Sequence, residues 1–173
     1  MHFNQIFNRK FLPRMVLWPS WLLLFALSEN TSLAQSIDDQ AAILKTVNRF
    51  FDALANRDRK SLLKLTIPGS LNISVENPVE DTTQIRIQNY SQLINGMGTE
   101  GPHFLERYWE PIVLIEGNIA VFWAPYDFHI DGIFSHCGID SFQLVKREGE
   151  WLLSNLSWTR QRQGCEPSPL VPL

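Results

Sequence analysis

Residues 123–140 read W-A-P-Y-D-F-H-I-D-G-I-F-S-H-C-G-I-D, and this stretch decides the fold. Asp131-Gly132 between alternating apolar residues marks a β-hairpin, because both central residues of a tight primed turn need positive φ. Counting outward from the turn sets Asp127 across from His136 and Trp123 across from Asp140. Residues two apart on a strand share a face. Trp123, Asp127, His129, His136 and Asp140 are therefore expected on one side of the sheet. An indole, two imidazoles and two carboxylates on one face compose a pocket rather than a dry core.

The same counting extends outward through the turns at Gly117-Asn118 and Glu148-Gly149. It predicts a four-strand meander over 105–116, 119–130, 133–147 and 151–160. Tyr108 then stands across from Asp127, Ile112 from Trp123, Ser157 from Asp140 and Asn155 from Phe142. Phe142, Leu144, Trp151 and Leu153 fall on the pocket face and are expected to pack under helices. Tyr108, Asp127, His136, Asp140 and Ser157 gather further up. A slip of one residue would turn this whole set over.

Upstream, Ser36-Ile37-Asp38-Asp39 resembles a capping box. Ile43, Leu44, Val47, Phe50, Phe51 and Leu54 then recur at helical spacing, which predicts a helix over 37–56. Asp58 can cap a short second helix. Strands are expected at 71–75 and 84–88, and a third short helix at 91–97. Helices followed by a twisted meander is an α+β order: N-terminal helices on a strongly curved antiparallel sheet, with a pocket in the cone between them.

Arg9, Lys10 and Arg14, an apolar run over 16–27 and Ser32-Leu33-Ala34 have the layout of a secretory leader cleaved near Ala34. The expected organisation is a leader over 1–34, one domain over 35–165 and a disordered, Pro-containing tail over 166–173. The chain carries 15 Lys+Arg against 18 Asp+Glu, and losing the leader makes the domain more acidic still. With no basic stripe, nucleic acid is not an expected partner. In an exported chain two cysteines favour a disulfide, here Cys137 with Cys165. There is no Cys-x-x-Cys, His-x-His or other compact ligand spacing, so neither a metal nor a cofactor is expected.

Three blocks carry a family resemblance: V-N-R-F-F-D-A-L-A-N-R-D in the first helix, W-A-P-Y-D-F with S-H-C-G-I-D in the hairpin, and F-Q-L-V-K-R-E-G-E-W-L-L near the end. Together they resemble the nuclear transport factor 2-like superfamily, over residues 37–165. This group includes ketosteroid isomerases and SnoaL-like cyclases. The chain looks most like exported bacterial members labelled lumazine-binding. The resemblance implies a cystatin-like cone with a central pocket, and it spans enzymes and non-catalytic binders alike.

An Asp in an apolar pocket has a raised pKa and can move a proton beside a carbonyl. Asp140 is the candidate base, with His136 as a second acid/base group oriented by Asp127. Tyr108 could donate to a developing oxyanion. Trp123, His129, Phe142, Asn155 and Ser157 complete the candidate ligand contacts. The leading expectation is an exported protein that binds a small cyclic or aromatic molecule without chemistry. The alternatives are an isomerase, cyclase or dehydratase, and a homodimerisation module. The opposite sheet face, read as Trp109, Phe122, Tyr126, Ile139 and Trp158, is too apolar to leave in water, so a homodimer is expected through it.

Overall fold

The structure is a computed structural model that describes residues 21–79 and 82–171. Residues 35–173 form one compact unit, distinct from 1–34. The expected leader falls on 1–34, and residues 1–20 lie outside the described residues. No described helix is long and apolar enough to cross a membrane.

Helix α1 spans Trp21–Ala55, so Ser36 lies inside it and caps nothing. Asp39 ties the helix to the sheet instead. Its Oδ1 accepts from Lys146 Nζ at 2.5 Å and from Trp151 Nε1 at 3.0 Å. α1 stops in a turn where Arg57 N–H donates to Leu54 and Asp58 N–H to Ala53. Arg57 adopts φ +52 there, a place glycine usually takes. Asp58 accepts from Ser61 N–H and caps α2, Arg59–Lys64. α3, Tyr90–Gly96, follows two strands, β1 (Thr66–Val79) and β2 (Thr82–Asn89).

The remaining strands are β3 (Phe104–Tyr108), β4 (Ile112–Glu116), β5 (Ile119–Ile130), β6 (Ile133–Arg147) and β7 (Glu150–Arg160). The sheet order is β2-β1-β7-β6-β5-β3, with β4 also on β5. The single strand expected over 105–116 is thus two, separated at Glu110 (φ +46) and Pro111. Pro111 lacks the N–H a continuous ladder needs. β1 pairs with β7 in parallel, so the curved sheet is mixed rather than wholly antiparallel.

All three sequence turns are present. Asp131, Gly132, Glu148, Gly149 and Gly117 take positive φ, and Ile130 pairs with Ile133. The register then departs from simple counting at two bulges, and it also slips by one residue between β4 and β3, where Ile112 pairs with Trp123 as counted but Tyr108 pairs with Tyr126. Ser135 is skipped, because His129 pairs with Phe134 but Phe128 pairs with His136. Ser154 is skipped likewise between the Leu144–Leu153 and Gln143–Asn155 pairs. Each bulge adds one residue and reverses the parity of everything counted through it.

The core lies between α1 and the concave face of the sheet. Ile43, Val47, Phe50 and Phe51 from α1 are buried with Phe122, Phe142, Leu144, Trp151, Leu153 and Leu156. Phe142 sits at the centre, with ring centroids 5.8 Å from Phe50 and 5.6 Å from Phe122.

Candidate functional site

The bulge at Ser135 determines which side chains reach the interior. Phe128, Tyr126, Ala124 and Phe122 of β5 pair with His136, Gly138, Asp140 and Phe142 of β6, and this is the concave face. Between that face, the end of α1 and α3 lies a cavity of about 780 Å³. It falls within the ~300–1,000 Å³ range of small-molecule sites. Its walls are largely aromatic: Phe50, Tyr90, Phe104, Tyr126, Phe128, Phe142 and Trp158. Arg57, Asn72, Glu106, His136 and Asp140 are among its polar groups. The mouth lies near α3 and β2, where Leu93 and Ile87 are exposed.

Of the expected site residues, Asp140, His136 and Phe142 line this cavity. Trp123, Asp127, His129, Asn155 and Ser157 do not. The two bulges place them on the opposite, convex face, where Trp123 and Ser157 both pair with Ser141 and Asp127 pairs with Cys137. Trp123 is 45% exposed. Asn155 bridges strands there, donating to Gln143 Oε1 and accepting from Leu71 N–H, each at 3.1 Å. Tyr108 stays on the concave side but pairs with Tyr126 rather than Asp127. Its hydroxyl donates to Asn48 of α1 at 2.9 Å, and its ring packs edge-on to Phe122.

Asp127 therefore does not orient His136. It accepts from Arg107 Nε at 2.8 Å and from Nη2 at 2.5 Å, with His129 Nε2 at 3.3 Å. Burial opposes its charge, but the Arg107 hydrogen bonds and charge, with His129 behind them, hold its carboxyl below the usual range. Arg107 Nη1 also donates to the carbonyl of Val171 at 2.8 Å. Cys137 and Cys165 form a disulfide, and Cys137 exchanges backbone hydrogen bonds with Gln161. These contacts hold the chain beyond β7 against the outside of β5 and β6. The tail expected to be disordered is described through Val171.

His136 is packed as an aromatic ring. It stacks on Phe128 at 4.8 Å, lies 5.9 Å from Trp158 and meets Tyr126 edge-on at 5.8 Å. Its Nδ1 is 3.0 Å from Ser135 Oγ. Burial, and then the charges of Arg160 and Arg162, push its pKa down to about 4. The imidazole is neutral at physiological pH.

Asp140 is 1% exposed, and its Oδ2 meets no N–H or O–H donor. The titrating group that acts on it is the carboxyl of Glu106. Two carboxyls can hold each other only through a shared proton. Burial, then the charge and hydrogen bond of Glu106, raise Asp140 well above its ordinary range, and burial raises Glu106 too. Sequence counting missed Glu106. Its signal was Phe104-x-Glu106-x-Tyr108, an acid flanked at both i±2 positions by aromatics. Trp158 and Tyr126 were also missed, because the reversed parity assigned them outward. Tyr126 and Phe122 are buried, and Trp158 is half-buried on the cavity wall.

Backbone accommodates this floor at Gly138. A Cβ there would lie 2.0 Å from the Thr159 carbonyl oxygen. That carbonyl accepts from Tyr126 Oη at 2.8 Å.

No family model matches the chain, and no curated protein matches it. Solved structures share its fold. An NTF2-like protein with a cystatin-like fold from Novosphingobium aromaticivorans is 14% identical, with a TM-score of 0.59, covering 80% of this chain and 92% of that one. An NTF2-like superfamily protein from Salmonella enterica is 14% identical, with a TM-score of 0.56, covering 76% and 96%. A candidate scytalone dehydratase from Novosphingobium aromaticivorans is 11% identical, with a TM-score of 0.58, covering 75% and 89%. The likeness carries the fold and no subgroup within it.

Proposed function

Given that the chain folds as a nuclear transport factor 2-like cone, we propose that it binds a small cyclic or aromatic molecule in the cavity. One observation carries this reading: an aromatic-walled space of about 780 Å³ whose floor holds an unsatisfied acid, Asp140. Ring walls supply area, and one or two polar groups orient the ligand. Trp158 lines the cavity and reports on it. Titrating naphthalene- and indole-sized ring compounds should quench Trp158 fluorescence saturably and raise the unfolding temperature. In Trp158→Phe that quenching is lost while the temperature rise remains. A panel in which no ring compound raises stability ends the reading.

A second reading, proton transfer, is favoured by Asp140 Oδ2, which lacks a donor inside an apolar site. Some fold neighbours carry a dehydratase name. A ligand recovered from the parent protein should then be converted by it and left intact by Asp140→Asn.

The same proposal includes export after cleavage near Ala34, supported by the leader composition and by the disulfide, which suits an oxidising compartment. It also includes a homodimer through the convex face. Ile112, Leu114, Ile119 and Trp123 are 45–65% exposed there on paired strands. Sedimentation should show a dimer that Leu114→Glu splits; a monomeric parent withdraws it.

A further inference from the structure

We propose that the cavity's ligand carries a protonated amine, whose ammonium docks on Asp140 and Glu106. This rests on the reading of the cavity as a ring-binding site and names the chemistry of its occupant.

The donors and acceptors at the floor do not balance. Tyr126 Oη donates to the Thr159 carbonyl, Trp158 Nε1 donates to Asn72 Oδ1 at 3.0 Å, and His136 Nδ1 lies 3.0 Å from Ser135 Oγ. The Tyr126 hydroxyl and the Trp158 indole N–H are thus committed elsewhere. The acceptors are not: Asp140 Oδ2 is buried without a donor, and Glu106 adds a second acid to the same cavity wall. A ligand carbonyl would add another acceptor. A ligand N–H supplies what is missing.

Charge selects an ammonium over a neutral donor. Among the described residues no lysine or arginine forms an ion pair with either acid. Arg107 is held by Asp127, Lys146 by Asp39 and Arg160 by Glu76. The groups facing the acids are His136 on β6, Tyr90 on α3 and Tyr126 on β5; Arg57 also lines the cavity, but its guanidinium is held by the carbonyls of Pro102 and Gly98 and lies over Phe104. The arginines of β7 and the chain after it, Arg160 and Arg162, act on His136 from further off. His136 stays neutral, so the floor holds acids without a counterion. Tyr90, Phe142 and Trp158 line the same cavity, and aromatic faces attract cations. Docking a cation there displaces the proton the two acids share. That proton leaves to solvent, and the ammonium takes its place against the carboxylates.

Three indoles of equal ring size test this: tryptamine (cation), tryptophol (neutral) and indole-3-acetate (anion). Calorimetry on the parent protein should show tryptamine binding at least tenfold tighter than tryptophol. Proton release should follow from titrations in two buffers of different ionisation enthalpy, and tryptamine affinity should rise between pH 6 and pH 8. Asp140→Asn and Glu106→Gln should erase the preference for tryptamine over tryptophol. Tryptophol or indole-3-acetate binding the parent as tightly as tryptamine overturns the inference and leaves the ring-binding reading standing. Tryptamine bound without proton release also overturns it, whether or not the variants fold. Binding of none of the three removes the ring-binding reading and the inference together.

Discussion

At the cavity floor, His136 and the two acids make opposite contributions to stability as pH changes. The unfolded chain protonates His136 near 6.5, whereas the folded protein does so only near about 4. Between those values the unfolded state binds more protons, so this contribution is lost as pH falls. Asp140 and Glu106 are raised, so the folded state binds more protons than the unfolded one. Their contribution is fully present below the ordinary carboxylate range and is lost as pH rises through the raised values. His136→Gln should therefore lessen the parent's loss of stability from pH 6.5 to 4. Asp140→Asn should lessen its loss toward neutral and alkaline pH. Thermal unfolding across a pH series checks both, and the His136 ring proton shift should titrate near pH 4. A His136 midpoint near 6.5 would contradict the packing described. Asp140 and His136 were legible as pocket residues from the hairpin alone, because each sits an even number of positions from Phe142 and Gly138 on one strand. Their partner was not legible, since an isolated Glu106 has no local rule that links it to Asp140.

Among the elements, the β5–β6 hairpin carries the main lesson. Its turn was readable because Asp131-Gly132 is a local conformational requirement. Its register was not, because a bulge is selected by which faces the two strands must bury further along. Once Ser135 is extruded, Phe122, Ala124, Tyr126 and Phe142 all reach the core. Without the bulge the exposed Trp123 would turn inward in place of Phe122. Ser135 has no partner on β5, so deleting it should preserve the register downstream. The deletion variant should fold with native sheet content, losing on the order of 1 kcal/mol with the His136–Ser135 contact. Deleting Ile139, which pairs with Pro125, turns a strand segment over and should abolish cooperative unfolding. Equal outcomes for the two deletions would refute the bulge assignment. The division between β3 and β4 follows the same logic. Pro111 was visible, but the break it causes re-aims Tyr108 toward Asn48 only because α1 lies above it.

Across the folded unit, the chain after β7 fastens the outside of the sheet. The disulfide closes a separation of 28 residues, and Arg107 reaches the tail at Val171 while holding Asp127. Cross-links of this size typically contribute about 2–4 kcal/mol. Cys165→Ser should lower unfolding free energy by about that amount in urea and expose the amides of residues 161–171 to rapid hydrogen exchange. Ligand affinity in the cavity should stay unchanged, because the tail and the cavity lie on opposite faces of β5 and β6. A loss of affinity equal to the loss of stability would contradict that separation.

The chain's own order of residues determined its turns, its helical apolar face, its α+β layout and the strand that carries Asp140 and His136. Each of these depends on neighbours within a few positions, where backbone φ and side-chain period act directly. Only the tertiary structure decided strand parity beyond Ser135 and Ser154, the burial of Tyr126, the place of Trp158 on the cavity wall, and the meeting of Glu106 with Asp140. β5 stands between β3 and β6, so no pairing rule joins those two acids; it is the curvature of the sheet, closing around a shared cavity, that brings them together.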